Sequence, residues 1–173
     1  MSEESTTRRI RREMGRSFED FAPGDIYEHR PGRTISEADN TWFTLLTMNQ
    51  HPVHFDSEYA KHSEFGQPIV NSCLTLSIVV GMSVADVSQR AIANLGWTDI
   101  RMPVPVFNGD TLYAESEVME VRESSSRPTQ GIVTVVTRAH NQRDEMVMEF
   151  TRTVLVPKRG HSVEDKMKEP SDV

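Results

Sequence analysis

His51-Pro52-Val53-His54 places two imidazoles three residues apart, on a stretch that Pro52 keeps from being regular. Histidine alone titrates near neutral pH without perturbation, so this pair could take or give a proton in catalysis, with His54 the sharper candidate. Loops held by rigid flanks are where such chemistry collects. Hydrogen-bonded structural histidines would give the same pattern, and spacing alone leaves both readings open. Metal ligation by His51 and His54 fits poorly. The intervening proline prevents display on one helical face and no third ligand is evident, so no metal is expected.

A second feature is Gly66-Gln67-Pro68-Ile69-Val70-Asn71-Ser72, a proline-fixed loop running into an apolar segment that reads as a helix. Free backbone N–H groups and the helix dipole suit such an end to a developing oxyanion. A plain N-cap by Asn71 or Ser72 is the competing reading. Cys73, the single cysteine, sits beside Leu74 and Leu76 and reads as a buried, inert thiol. Asp39, Asp56 and Glu64 read as solvated or capping carboxylates. No P-loop or dinucleotide fingerprint occurs, and no cofactor is expected.

These residues need elements to hold them. Ser36, with Asp39 three positions on, is a helix start with a capping box, and Trp42, Leu45, Leu46 and Met48 suit one face of the helix that follows. Asp56–His62 reads as a short second helix. Asn71–Val87 is apolar nearly all round, as in a helix buried on most sides. The period then changes to two. Ala91–Met102 reads as a strand. Leu112, Ala114, Ser116 and Val118 oppose Tyr113, Glu115, Glu117 and Met119. Val133, Val135 and Ala139 alternate with Ile132, Thr134, Val136 and Arg138. Met146, Met148, Phe150, Val154 and Val156 share one parity, with Arg152 the exception. Such segments describe an antiparallel meander with one buried face. An α+β fold, one sheet wrapped around one central helix, buries that helix most simply. The methionines read as core filler.

Composition sets the outer limits. At 173 residues one domain is expected, here residues 18–157, between an Arg-rich tail (1–17) and a charged tail (158–173). One cysteine excludes an internal disulfide and suits a reducing, cytoplasmic setting. No leader is expected near residue 1, and Ile69–Ala85 is too short and polar to span a bilayer, so no membrane association is expected. Residues 17–157 hold ten basic and nineteen acidic side chains, a poor surface for nucleic acid. An anionic ligand must therefore be met by a few placed groups.

Three segments carry a resemblance: Leu46-Thr47-Met48-Asn49-Gln50-His51-Pro52-Val53-His54-Phe55-Asp56, Phe65-Gly66-Gln67-Pro68-Ile69-Val70-Asn71-Ser72 and Pro105-Val106-Phe107-Asn108-Gly109-Asp110-Thr111-Leu112. In this order they resemble the MaoC-like hydratase/dehydratase family. The resemblance implies a hot-dog fold, an acyl-CoA thioester partner, a homodimer or higher oligomer, and addition of water to a 2-enoyl-CoA double bond or the reverse. The family pattern is an Asp and a His five positions apart, with Asn-Pro before the His and His-Gly at the helix start. It maps onto Asn49, His51-Pro52, His54 and Asn71-Ser72. The resemblance therefore implies catalytic roles for His54, Asn49 and the Ser72 backbone, an auxiliary role for His51, and substrate contacts at Pro52, Val70 and Asn71. Gly32-Arg33-Thr34-Ile35-Ser36-Glu37-Ala38-Asp39-Asn40 and Ala93-Asn94-Leu95-Gly96-Trp97 resemble a branch acting on itaconyl-, mesaconyl- and methylmalyl-CoA, whose second carboxylate calls for a guanidinium. Arg33 and Arg101 are the candidates. A thioesterase on the same fold, and an acyl-CoA-binding or assembly subunit without activity, are the alternatives.

Overall fold

Alternating side chains build most of the protein into one sheet. In the computed structural model, which describes residues 15–167, strands β1 (Ile26–Thr34), β2 (Ala93–Arg101), β3 (Thr111–Glu123), β4 (Gln130–His140) and β5 (Met146–Pro157) lie antiparallel in the order β1-β3-β4-β5-β2. Helices α1 (Glu37–Leu46), α2 (Ser57–Lys61) and α3 (Ser72–Met82) fall between β1 and β2, and α4 (Val163–Lys166) follows β5. This is the α+β arrangement expected, with α3 against the sheet. The first fourteen residues of the Arg-rich tail and the last six of the charged tail lie outside the described residues. Residues nearer the sheet are held. Phe18 packs on Gly131, where a Cβ would fall 2.1 Å from its ring, and the Arg159 N–H and guanidinium reach Glu19 and Asp20.

The expected parities hold on β3 and β4: Leu112, Ala114, Ser116 and Val118 are buried, as are Val133, Val135 and Ala139. On β5 a register shift pairs Ala139 with Met148 and His140 with Met146, so Val147 is an extra residue turned inward and Met146 is displaced outward. Arg152 keeps the inward parity. Burial lowers its pKa, and its guanidinium donates to Asn94 Oδ1 (2.7 Å) and Ser83 Oγ (3.1 Å) just past the carboxyl end of α3, where a cation is favoured.

Four expectations are corrected. Trp42, Leu46 and Met48 are 76, 81 and 83% exposed, and Leu45 is exposed too; α1 instead buries the polar pair Asn40 and Thr44, one turn apart. Those two are drawn inward by backbone groups and by Asn71, a pull that apolar periodicity does not register. Second, α3 is covered mainly along Leu74, Thr75 and Val79. It also ends early, because the Ser83 hydroxyl takes the Val80 carbonyl and a π-turn, Val84–Ser88, follows. Third, Cys73 lies on the open side of α3 and is exposed. Fourth, Met148 is fully buried, but Met48, Met119 and Met167 are on the surface.

One polar chain crosses the interior. His29 Nδ1 donates to Asp86 Oδ2 (2.9 Å), because a carboxylate can only accept, and Nε2 accepts from Ser116 Oγ (2.8 Å), which is bonded to Thr137 Oγ1 (2.8 Å). Burial pushes the His29 pKa below its ordinary value, against the pull of Asp86. The folded protein thus holds His29 neutral, whereas the unfolded chain protonates it below about pH 6.5. This contribution to stability is full above that pH and is lost as pH falls through the folded value. Between pH 7.5 and 5.5 the denaturation midpoint of the wild type should fall more steeply than that of His29→Gln. Equal slopes would remove His29 as the cause.

Candidate active site

The loop after α1 is set by local caps. The Asn49 N–H donates to the Thr44 carbonyl at the helix end (3.0 Å), and Asn49 Oδ1 accepts the His51 N–H (3.0 Å). Pro52 then opens a 3-10 turn, Pro52–His54, for which His51 is the N-cap: its Nδ1 accepts the Val53 N–H at 3.3 Å. Asp56 caps α2 through the Tyr59 N–H. Asn49, His51 and His54 therefore share one short turn, with the two imidazole rings 5.9 Å apart and His51 6.0 Å from the Tyr59 ring.

His54 has a defined tautomer. Its Nδ1 lies 3.0 Å from the Ile69 carbonyl, which can only accept, so Nδ1 carries a proton and, in the neutral ring, Nε2 is the nitrogen with the lone pair. A proton acceptor is thereby oriented by the backbone. Asn49 differs: its carbonyl accepts the His51 N–H, and its NH2 can only donate. A carboxamide cannot act as a base at neutral pH.

Asn71 caps α3, its Oδ1 accepting the Cys73 N–H at 2.9 Å and its Nδ2 reaching Thr44 Oγ1 at 3.3 Å. Among the described residues the Ser72 N–H has no acceptor. Ser72 also lines a cavity of about 230 Å³, whose walls include Phe65, Val70, Val106 and Val147 with the Thr75 hydroxyl. An unpaired N–H at a helix start, beside an apolar cavity, is a donor ready for an oxygen that gains charge. The two halves of the site are joined by Asn40, buried in α1. Its Nδ2 donates to the carbonyls of His54 (2.9 Å) and Ile69 (3.0 Å), and its Oδ1 accepts the Asn71 N–H (2.9 Å).

The structure thus brings His54, Asn49, His51, Pro52, Val70, Asn71 and Ser72 into one region. Neither Arg33 nor Arg101 is bonded to these residues. Arg33 is paired with Asp39 at 2.9 and 3.0 Å. Arg101 pairs in register with Glu149, whose carboxylate binds Arg138, and it does not line the cavity. Sequence reasoning missed Asn40. The signal available was an Asn and a Thr four apart on the polar side of a helix whose apolar side was assumed to face in. A larger depression of about 510 Å³, bordered by Glu28, Arg30, Tyr113 and His140, shares no residue with this site. Among the described residues no three His, Cys, Asp or Glu side chains converge as metal ligands, and no helix is long and apolar enough to cross a membrane.

Comparison with known proteins identifies the family and the fold. A family model described as mesaconyl-CoA hydratase matches residues 3–172. The chain is 37% identical over 145 residues to a mesaconyl-CoA hydratase of Cereibacter sphaeroides, covering 84% of this chain and 42% of that protein. A MaoC domain dehydratase structure from Chloroflexus aurantiacus superposes with a TM-score of 0.80 at 36% identity, over 84% of this chain and 41% of the other. A Mycobacterium tuberculosis protein described as a double hot-dog fold matches in fold, with a TM-score of 0.78 at 24% identity, over 86% of this chain and 47% of the other. The fold is the hot dog. The chain spans about two-fifths of the length of the curated relatives it matches first.

Proposed function

The chain belongs to the mesaconyl-CoA hydratase family of MaoC-like proteins, and from that premise we propose that it adds water to the double bond of a 2-enoyl-CoA thioester, or removes it. In this reading His54 Nε2 takes a proton from water as its oxygen bonds to Cβ. The electron pair of the double bond moves onto the thioester oxygen, which the Ser72 N–H stabilises. Collapse of that enolate takes the proton from the His54 imidazolium to Cα. Asn49 holds the water through its NH2, and the acyl chain lies in the cavity beside Ser72 and Val70, with Pro52, Asn71 and His51 around it. One observation carries the reading: His54 is fixed as the Nδ1–H tautomer by the Ile69 carbonyl, so the free nitrogen is a base.

The test is turnover. Purified protein should consume the enoyl-thioester absorbance of crotonyl-, itaconyl- or mesaconyl-CoA and yield the hydroxyacyl-CoA by mass. Binding of CoA esters without turnover would instead favour the non-enzymatic subunit, a reading that Asn49 supports because a carboxamide cannot act as a base. Release of free thiol would favour the thioesterase. The same setting, a reducing cytoplasm, suits the exposed Cys73.

The proposal includes a second copy of the chain. Strands β1 and β2 are both open edges of the sheet, and β2 leaves Leu95, Trp97 and Ile100 exposed. Long apolar edges of this kind are normally paired or covered. Replacing Leu95 and Trp97 together by lysine, a residue that blunts natural edges, should convert a dimer to a monomer in sedimentation. A wild type that sediments only as a monomer would sink this part.

A further inference from the structure

The geometry points to Asn40 as the positioning residue of the active site, the group whose side chain holds the base and the thioester-oxygen donor in one frame. This inference rests on the hydratase reading and adds to it a residue that contributes no reacting atom. Asn40 is fully buried, and both N–H groups and the oxygen of its amide are bonded. One N–H goes to the His54 carbonyl and one to the Ile69 carbonyl, while its oxygen receives the Asn71 N–H. These partners fix the orientation of the amide, since the opposite one would set its oxygen against two carbonyls.

The Ile69 carbonyl carries the coupling. Its two lone pairs receive Asn40 Nδ2 at 3.0 Å and His54 Nδ1 at 3.0 Å. The oxygen that selects the His54 tautomer is thus aimed by Asn40. The third bond of Asn40 fixes Asn71, the cap of α3, one residue before the Ser72 N–H. No other side-chain type of this size serves all three partners. Aspartate can donate one hydrogen at most and, when ionised, faces two carbonyl oxygens. Leucine leaves the His54 carbonyl and the Asn71 N–H unpaired and the Ile69 carbonyl with His54 alone. The Thr44 hydroxyl, one turn on, meets the Asn71 side chain and neither His54 nor Ile69, and forms the natural control.

The test compares Asn40→Asp, Asn40→Ser and Thr44→Val with wild type on crotonyl-CoA, and follows His54 by 15N NMR of its ring. In wild type His54 should show the Nδ1–H tautomer. Asn40→Asp should lower kcat about 100-fold, the scale of a misplaced catalytic group, with butyryl-CoA binding changed less than threefold. It should also move the acid limb of the kcat/KM profile to higher pH, as a carboxylate near His54 favours the imidazolium. Asn40→Ser should mix the tautomers, and Thr44→Val should do neither. A merely structural role would lower melting temperature and activity together with the acid limb and tautomer unmoved, and that result overturns the inference. If Asn40→Asp does not fold, the His54 tautomer in wild type and Asn40→Ser decides: an Nε2–H tautomer in wild type, or no difference between the two, overturns it. Wild-type protein that turns over no enoyl-CoA refutes the hydratase reading itself, and the ring spectra then still decide whether Asn40 aims His54.

Discussion

Replacing His54 with glutamine should lower kcat for enoyl-CoA hydration by about 100- to 10,000-fold, the range spanned by a positioned general base. Glutamine is a close test because its amide can still donate to the Ile69 carbonyl that now receives His54 Nδ1. It lacks a nitrogen that can accept a proton at neutral pH. The 3-10 turn should survive, since His54 contributes to it through its backbone: its N–H reaches the His51 carbonyl, and its own carbonyl takes Asn40. Binding of butyryl-CoA, which cannot react, should be nearly unchanged. A loss confined to kcat would identify an interaction made in the transition state. A variant with an undiminished rate would remove His54 as the base, and attention would pass to His51, the other imidazole of the turn.

Ser72→Pro should cost about 100- to 1,000-fold in kcat, as expected for one lost oxyanion donor. Proline is normally a blunt tool inside a helix. Here it falls on the first helical residue, where the missing N–H has no intrahelical acceptor and the fixed φ suits the helix. The residue before it must be extended, and Asn71 already is, with φ −57° and ψ 127°. The Asn71 cap on the Cys73 N–H is left intact. Ser72→Ala, which keeps the N–H and removes the hydroxyl, separates backbone from side chain: it should stay within a few-fold of wild type. Circular dichroism should show unaltered helix in both. A proline variant as fast as wild type would mean that the thioester oxygen is held elsewhere.

The strands were legible because a sheet with one buried face imposes period two on the sequence, and β3 and β4 obey it residue by residue. Where β5 departs, at Met146, the cause is a one-residue bulge that no alternation announces. Helix α1 was read with the wrong side inward. Its capping box, Ser36 with Asp39, is local and was visible. Which side is covered depends on partners 14 to 31 residues further along, reached by Asn40. The same limit applies to His29 and Asp86, 57 residues apart. The loop from Asn49 to His54 could be found because Pro52 breaks the helix and histidine is chemically conspicuous. The arginine candidates could not be judged from sequence, because Arg33 is neutralised by Asp39, six residues on, through a fold-dependent contact.

Under the proposed pairing of two copies, the outward apolar side of α1 makes protein concentration a variable. Trp42, Leu46 and Met48 face solvent in a single chain, and any cover supplied by a second copy is lost on dilution by mass action. The Mycobacterium tuberculosis protein with a double hot-dog fold is in a different regime. Two units on one polypeptide meet at an effective concentration on the order of millimolar for a short flexible linker. Where two such units share one polypeptide, their assembly no longer depends on expression level.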